Sequence, residues 1–223
     1  MRKRVVVAID GPAGAGKSTI ARRVAAKLGF VYIDSGAMYR AVALKAMRSG
    51  TDLSDAAGLE ELARGARIEF EPGGSRVLLD GEDVSAEIRA PEISPAASKV
   101  SVFSGVRRAL VEKQRQMGAA GGVVMEGRDI GSVVFPDAGV KIYLDADPAV
   151  RARRRVREME EKGQPLDAGE VEREIRERDR RDSTRADSPL VRAPDAVYVD
   201  TTALGPDEVE RVILEIVGKR IDD

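Results

Sequence analysis

Positions 11–18 of the chain read GPAGAGKS and match the pattern G-x-x-x-x-G-K-[ST]. They follow the short β-branched run RVVVAID and lead into KSTIARRVAAKLG, whose apolar residues recur at helical spacing. In such a strand–loop–helix, backbone N–H groups point at phosphate oxygens, the lysine neutralises the β and γ phosphates, and the hydroxyl can ligate Mg²⁺. The motif predicts a nucleoside-triphosphate site, with Ser18 as the Mg²⁺ ligand. Its residues are Gly11, Pro12, Ala13, Gly14, Ala15, Gly16, Lys17, Ser18 and Thr19.

A dinucleotide-binding loop of the G-x-G-x-x-G type is the alternative interpretation of the same glycines. Gly14 and Gly16 would supply its first two glycines, and Asp34 lies at about the right distance to be its ribose-binding acid. The third glycine position is occupied by Thr19, and a dinucleotide loop does not use a lysine beside it. The triphosphate interpretation is therefore favoured.

Three further segments combine arginines with carboxylates or hydroxyls. DSGAMYRA (34–41) and EGRDIG (126–131) each follow a strand pattern, and ERDRRDSTR (177–185) has helical spacing. An isolated exposed Arg–Asp pair is usually a solvated ion pair. Because strand ends of a parallel sheet form a binding crevice, however, these groups are predicted to converge on a second phosphate. The candidates are Ser35, Arg40, Glu126, Arg128, Asp129, Arg178, Arg181, Asp182 and Arg185, of which Arg178, Asp182 and Arg185 have the spacing of one helix face.

The composition excludes several kinds of chemistry. The chain contains no cysteine and no histidine, which excludes thiolate catalysis, Cys-based zinc sites and the commonest general base. It also contains no asparagine, so the N-K-x-D signature of a guanine-specific switch is absent. A motor ATPase would need more machinery than 223 residues provide. Phosphoryl transfer to a small acceptor is favoured among the many uses of such a loop.

The charge balance and the first residues bear on partners and location. The net charge is −1, so a general electrostatic attraction to nucleic acid is not expected. The apolar run after the basic first residues is too short for a signal-peptide core or a membrane span. We therefore predict a cytoplasmic protein that binds small molecules, with no nucleic-acid or membrane partner. A length of 223 residues fits one main domain.

Short apolar strands alternate with helical stretches along most of the chain. Besides RVVVAID, strand patterns occur in FVYID, GGVVMEG, VKIYLDA and DAVYVDTT. This alternation is typical of a parallel sheet with helices on both faces. We predict an α/β fold, a three-layer αβα core of the P-loop NTPase type around a five-stranded parallel sheet.

Two regions depart from this alternation. Residues 66–84, ARIEFEPGGSRVLLDGEDV, alternate in polarity and carry the turn signals PGG and DG, which predict a small antiparallel insert. Residues 151–185 are rich in Arg and Glu at helical spacing on both sides of a short loop. This second region is predicted to form a helix–loop–helix.

With these motifs, the sequence resembles the bacterial cytidylate kinases, a branch of the nucleoside monophosphate kinase family. The resemblance runs nearly end to end, and its most specific parts are IDGPAGAGKST, DSGAMYRA, LDGEDVSAEIR, GRDIGSVVFPDAGVKIYLDA and ERDRRDSTR. It implies a core of about residues 1–35, 105–150 and 180–223, an insert of about 36–104 that closes over CMP, and a short helical lid of about 151–179 that closes over ATP. It also implies a monomer.

The resemblance implies roles for individual residues. The CMP phosphate would be held by Arg40, Arg128 and Arg185, with Ser35 beside them. The ribose would contact Arg178 and Asp182, and the cytosine edge would be read by Ser98, Arg107 and Asp129. The residues that act on the transferring group would be Lys17, Arg128, Arg185 and Arg181. By analogy, one or two of the lid arginines would also reach that group, the candidates being Arg151, Arg153, Arg154, Arg155 and Arg157.

The implied reaction is MgATP + CMP giving ADP + CDP, with dCMP also accepted, a step of pyrimidine nucleotide metabolism. The CMP phosphate is already an anion near neutral pH, so no general base is needed and the absence of histidine fits. A P-loop kinase for UMP or for a small alcohol such as shikimate is one alternative. An alcohol would need a carboxylate base, and Asp34 could serve. The other alternative is a nucleotide-hydrolysing switch protein.

Overall fold

The computed structural model describes residues 5–71, 76–161, 163 and 166–221. Its strands are β1 (Val6–Asp10), β2 (Val31–Asp34), β3 (Ile68–Phe70), β4 (Val77–Leu79), β5 (Glu82–Asp83), β6 (Val123–Gly127), β7 (Val140–Asp145) and β8 (Val197–Asp200). Its α-helices are α1 (Lys17–Leu28), α2 (Ser35–Ser49), α3 (Ala56–Gly65), α4 (Ile93–Val100), α5 (Ser104–Gly118), α6 (Pro148–Glu161), α7 (Ala168–Thr184) and α8 (Pro206–Ile221). Within these residues, no helix is both long and apolar enough to cross a membrane.

The central sheet has five strands in the order β2–β6–β1–β7–β8, and all of its neighbouring strands are parallel. The five strand patterns seen in the sequence are these five strands, so the predicted parallel sheet is confirmed. The register places Asp10 opposite Gly127 and Asp34 opposite Glu126. The carboxyl ends of β1, β2 and β6 therefore lie side by side at one edge, where a ligand crevice is expected.

Helices cover both faces of this sheet, as the buried, β-branched strands require. On one face, Val7 and Ile9 of β1 pack with Ile20 of α1 and Ile213 of α8. On the other face, Ala8 lies in a cluster with residues of β2 and β6 and of the short helical turn Ile130–Val134. The three-layer αβα arrangement follows from this alternation of side chains along each strand.

The segment between β2 and β6 builds a second, smaller core around α2–α5 and an antiparallel sheet of β3, β4 and β5. Asp80 and Gly81, the DG of the sequence, form the β4–β5 turn with φ of 54° and 92°. Two successive positive φ angles are what a two-residue hairpin turn needs. The predicted antiparallel insert is confirmed, and the PGG stretch at 72–74 lies outside the described residues.

Helices α6 and α7 pack on each other through Ala152, Val171 and Ile175, so the predicted helix–loop–helix is present. Helix α7 ends at Thr184, and Arg185 follows it with an extended backbone, φ −65° and ψ 146°. The expectation that Arg185 shares a helix face with Arg178 and Asp182 is therefore wrong in detail, because the helix ends one residue too early.

Candidate active site

The glycine-rich loop runs from the end of β1 to the start of α1. Gly11, Gly14 and Gly16 have φ of 148°, 76° and 90°, which side chains rarely tolerate. A Cβ on Gly11 would lie 1.9 Å from the backbone oxygen of Leu144 in β7. The loop therefore depends on glycine both for its backbone conformation and for its close approach to the sheet.

Lys17 is the first residue of α1 and is buried. Its Nζ donates to the carbonyl oxygen of Pro12 at 2.7 Å, so the side chain folds over the loop that precedes it. Burial and the nearby positive charge of Arg128 lower the pKa of Lys17. The exposed Ser18 follows it, and the hydroxyl of Ser18 lies near enough to the buried carboxylate of Glu126 in β6 to oppose the rise in its pKa that burial causes.

Asp10, the last residue of β1, was not among the predicted site residues. Its Oδ1 accepts a hydrogen bond from the N–H of Ile130 at 2.8 Å, and its Oδ2 accepts one from the N–H of Gly131 at 2.7 Å. Burial outweighs these bonds and raises the pKa of Asp10 to about 6. The contact holds the loop that carries Arg128 and Asp129 against β1, the strand that ends at the glycine-rich loop, the phosphate loop of residues 11–16.

A second contact joins the loop after β6 to helix α7. The Nε of Arg128 lies 3.0 Å from Oδ2 of Asp182, and Nη1 of Arg185 lies 3.5 Å from Oδ1 of the same carboxylate. Burial opposes ionisation of Asp182, but the charges of Arg128, Arg178 and Arg185 outweigh it and lower its pKa. The structure thus brings together two of the three Arg-bearing segments singled out in the sequence.

The positive groups of this crevice also act on one another. Burial and the charge of Arg128 lower the pKa of Arg178 to about 10. Burial and the charge of Arg107 likewise lower the pKa of Arg185. Arg178 in turn contributes to the lowered pKa of Lys17. Such mutual lowering indicates positive charge in excess of the local carboxylates, which an anionic ligand would neutralise.

The third Arg-bearing segment begins helix α2. Ser35 Oγ donates to the carbonyl oxygen of Glu126 at 2.7 Å, which joins α2 to the end of β6. The Asp34 carboxylate caps the helix by accepting from the N–H of Ala37 at 3.0 Å, and it pairs with Arg40 Nη2 at 2.7 Å. Asp34 is therefore engaged in holding Arg40 at the edge of the sheet.

The residues assigned to a base edge fall into two pairs. Arg107 and Asp129 are both buried, with Nη2 of Arg107 2.5 Å from Oδ2 of Asp129. The Arg107 guanidinium also lies over the ring of Tyr39, 5.5 Å from its centroid. Ser98 of α4 accepts instead from Nη1 of Arg181 at 2.7 Å. That hydrogen bond joins the insert to helix α7.

Several buried donors of this crevice have no hydrogen-bond partner among the described residues. They are the hydroxyl of Tyr39, Nε of Arg40, Nε of Arg107 and Nη2 of Arg185. A buried polar group left without a partner costs about 1–3 kcal/mol. Since they belong to residues that converge on the carboxyl edge of the sheet, these donors are suited to a polar ligand bound there.

The arginines at the start of α6 separate into different environments. Arg151 is buried, and its Nη1 donates to the carbonyl oxygen of Ala13 in the phosphate loop at 2.9 Å. Arg154 donates to the carbonyl oxygen of Thr201 after β8 at 2.6 Å. The exposed ones are Arg153, Arg155 and Arg157. Of the five, Arg151 is the one that the structure places against the phosphate loop.

Asp10, Tyr39 and Asp179, whose Oδ2 pairs with Nη1 of Arg151 at 2.6 Å, are crevice residues that the sequence analysis did not assign. All three lie within the motif stretches IDGPAGAGKST, DSGAMYRA and ERDRRDSTR, so position within a motif was the available signal. Each of them also contacts a segment more than 60 residues away in sequence. Asp10, for example, accepts a hydrogen bond from Ile130, which lies 120 residues further along the chain. No local pattern reports contacts of that range.

The chain is similar to known proteins over nearly its whole length. Residues 7–219 match the family model of the cytidylate kinases. The chain is 60% identical to the cytidylate kinase of Solibacter usitatus, over 99% of this chain and 95% of that protein. It is 54% identical to the cytidylate kinase of Pelotomaculum thermopropionicum, over 96% of this chain and 94% of that protein.

Similarity to solved structures extends to the fold. The shikimate kinase of Bacteroides thetaiotaomicron superposes with a TM-score of 0.50 at 15% identity, covering 96% of this chain and 98% of that one. At this identity the likeness shows a shared fold and nothing about the acceptor. The fold alone does not identify the family, whereas the family model and the relatives do. The chain belongs to the cytidylate kinase family.

Proposed function

We propose that this protein transfers the γ-phosphoryl group of ATP to CMP or dCMP, giving ADP and CDP or dCDP. The observation that carries the proposal is a cluster of cations beside the phosphate loop, in which Arg128 and Arg178 lower the pKa of Lys17 and Arg128 lowers that of Arg178. One triphosphate on the loop and one monophosphate facing it would supply the negative charge that this cluster lacks. Membership of the cytidylate kinase family supports ATP as donor and CMP as acceptor.

On the donor side, we assign Gly11–Thr19 to the ATP phosphates. Backbone N–H groups of the loop and of the first turn of α1 would bind the phosphate oxygens, and Lys17 would exchange its bond to Pro12 for one to a phosphate. The exposed hydroxyl of Ser18, beside the carboxylate of Glu126, provides hard oxygen donors of the kind that Mg²⁺ prefers. Bound Mg²⁺ supplies neutralisation of the phosphate charge; Ser18 would hold it.

On the acceptor side, we assign Arg40, Arg128 and Arg185 to the CMP phosphate, with Ser35 at the same edge of the sheet. Guanidinium groups suit this task because their planar fork binds two phosphate oxygens at once. Two of these arginines have a buried nitrogen without a partner among the described residues. Arg178 and Asp182, in the part of helix α7 that precedes Arg185, are assigned to the ribose.

The cytosine edge is assigned to Ser98, Arg107 and Asp129. Cytosine presents an amino donor beside ring N3 and O2 acceptors, so a carboxylate or hydroxyl suits the amino group and an arginine suits the acceptors. The buried Arg107–Asp129 pair offers both kinds of group within 2.5 Å of each other. The same guanidinium lies over the ring of Tyr39, whose hydroxyl has no partner among the described residues.

Catalysis in this scheme rests on positioning and on charge stabilisation. The attacking CMP phosphate is an anion, so no residue has to remove a proton from it. Asp34, the carboxylate that an alcohol acceptor would need as a base, is occupied with capping α2 and holding Arg40. Lys17, Arg128, Arg185 and Arg181 would stabilise the charge that shifts between the two nucleotides.

These assignments divide the chain into a core and two parts that bind the nucleotides. We propose a core of about residues 1–35, 105–150 and 180–223, a CMP-binding insert of about 36–104 and an ATP-side lid of about 151–179. The insert and helix α7 already meet through Ser98 and Arg181, which supports closure of the two over the crevice. We further propose that the protein works as a monomer in the cytoplasm, on free nucleotides and without a nucleic-acid partner.

The test is the initial rate of ADP production with MgATP and a single acceptor in each reaction. The acceptors are CMP, dCMP, UMP, AMP, GMP and shikimate, with a reaction without acceptor as the control. Strong stimulation by CMP and dCMP alone is the expected result. Selective stimulation by UMP or shikimate would instead identify a kinase for another acceptor. Equal slow turnover in every reaction would identify a hydrolase.

A further inference from the structure

The backbone of Ala13 in the phosphate loop is held by two side chains from different helices. Nη1 of Arg151, in the first turn of α6, donates to the carbonyl oxygen of Ala13 at 2.9 Å. The N–H of Ala13 donates to Oδ1 of Asp179 in α7 at 3.4 Å. The two side chains pair with each other, Nη1 to Oδ2, at 2.6 Å. Ala13 is thereby bonded through both of its peptide groups.

We propose that Arg151 and Asp179 are positioning residues of the donor site, which set the shape of the phosphate loop and fix it to helix α7. The proposal rests on the function proposed above, in which Gly11–Thr19 bind the ATP phosphates. Arg151 was one of five candidates to reach the transferring group, and Asp179 was assigned to neither nucleotide. Both act through the main chain of Ala13, so their effect on the reaction is indirect.

The burial of this pair distinguishes it from an ordinary surface ion pair. The side chain of Arg151 is 4% exposed and that of Asp179 is 21% exposed. A guanidinium taken out of water needs its donors satisfied and its charge paired. Arg151 meets both needs, because its Nε also donates to the carbonyl oxygen of Ala146 at 2.8 Å. Only the planar fork of an arginine makes these contacts together.

The loop is also packed tightly against α6 at the next residue. A Cβ on Gly14 would lie 3.0 Å from Cβ of Arg151. The first turn of α6 therefore bears directly on the phosphate loop through the backbone of Arg151 as well as through its guanidinium. A loop held on this side keeps one conformation, which saves the ordering cost when a nucleotide binds.

Asp179 also joins the donor side to the acceptor side within one turn of α7. Arg178 precedes it, and Asp182, three residues later, bonds Arg128 at 3.0 Å. One helical turn thus contacts the phosphate loop and an arginine assigned to CMP. Weakening the Asp179 contact is expected to reduce kcat together with ATP binding, because the two substrates would no longer be aligned.

The experiment compares Asp179→Ala and Asp179→Asn with a matched control, Glu172→Ala. Glu172 lies on the same helix and pairs with Arg176 at 2.7 Å, but its side chain is 32% exposed and that of Arg176 is 59% exposed. Binding of MgADP and, separately, of CMP is measured by titration calorimetry. The urea midpoint of unfolding is measured for every variant, so that loss of folding is recognised.

Asp179→Ala is expected to weaken MgADP binding about tenfold or more, in line with the loss of a charge-assisted bond. CMP binding should change less than threefold, since Arg128, Asp182 and Arg185 remain. Asp179→Asn should fall between the wild type and Asp179→Ala, because it keeps an acceptor for Ala13 and loses the charge. Arg151→Lys should add little to the loss in Asp179→Asn, because both remove one interaction.

Three results would overturn the proposal. One is MgADP affinity of Asp179→Ala equal to that of Glu172→Ala. Another is tighter MgADP binding, which would mean that the carboxylate competes with the nucleotide. The last is an equal loss of MgADP and CMP binding with a lower unfolding midpoint. Failure of the wild type to phosphorylate CMP would contradict the proposed function alone, since MgADP binding needs no acceptor.

Discussion

Nε of Arg128 lies 3.0 Å from Oδ2 of Asp182, so helix α7 helps to fix the position of the arginine that directly follows β6. Arg128→Ala removes a half-buried charge from the proposed phosphate site and leaves Asp182 with fewer cationic neighbours. We expect the KM for CMP to rise and kcat to fall, each by about 10- to 100-fold, from the loss of one charged hydrogen bond. Steady-state kinetics with either substrate varied measures both effects.

The matched control for this variant is Arg64→Ala, since Arg64 has an exposed i,i+4 pair with Glu60. It should behave as the wild type. The KM for ATP should change less than about threefold in Arg128→Ala, because the phosphate loop is untouched. A collapse of ATP affinity with unchanged CMP affinity would show that Arg128 serves the donor.

Lys17→Ala should abolish turnover without unfolding the protein. The ammonium bonds only the loop carbonyl of Pro12 among the described residues, so the core loses no packing that α1 depends on. Lys27→Ala, an exposed lysine on the same helix, is the control. Assays of ADP production and far-UV circular dichroism are sufficient. Near-wild-type activity in Lys17→Ala would contradict the assignment of the loop to ATP.

The lowered pKa of Lys17 has a further measurable consequence. Burial and the charge of Arg128 disfavour the ammonium in the free protein, whereas a bound phosphate favours it. Nucleotide binding at pH 8 should therefore take up protons, and uptake should be lost in Lys17→Ala. Titration calorimetry in buffers of different ionisation enthalpy measures the number of protons. Zero uptake by the wild type would contradict this reading of the site.

Asp10→Asn should change how stability depends on pH. The folded pKa of Asp10 is about 6, above the unfolded value of about 3.9. Such a carboxyl contributes its full stability below pH 4 and loses it as pH rises through 6, a change of about 3 kcal/mol. The unfolding free energy of the wild type should therefore fall relative to that of Asp10→Asn between pH 4 and pH 7. Urea unfolding across this range tests it, and a constant difference would refute it.

Gly11→Ala should prevent stable folding. Its Cβ would lie 1.9 Å from the backbone oxygen of Leu144, at a φ of 148°, and a strand of the central sheet cannot move away cheaply. Gly218→Ala in α8 is the control, since a Cβ there meets nothing within 4 Å and alanine favours a helix by about 1 kcal/mol. Melting temperatures should fall sharply for the first and rise slightly for the second.

The fold could be predicted largely from local patterns. The five strand patterns, the helix that begins at Lys17, and the DG turn at Asp80–Gly81 each appear where the sequence placed them. Periodicity and turn chemistry are local properties, so the elements that they specify can be predicted without tertiary information. The end of α7 did not follow in the same way, because the backbone of Arg185 becomes extended where its side chain contacts Asp182 and the carbonyl of Ser188.

The phosphate loop was determined by the sequence itself, because glycines, lysine and hydroxyl must be adjacent along the chain to surround a phosphate. The rest of the crevice was decided by tertiary structure. Asp10 reaches Ile130, Arg107 reaches Asp129, and Asp179 reaches Ala13. These pairs meet only because the parallel strands end at one edge and the helices return over it. Burial there raises the pKa of Asp10, and no spacing along the chain encodes that effect.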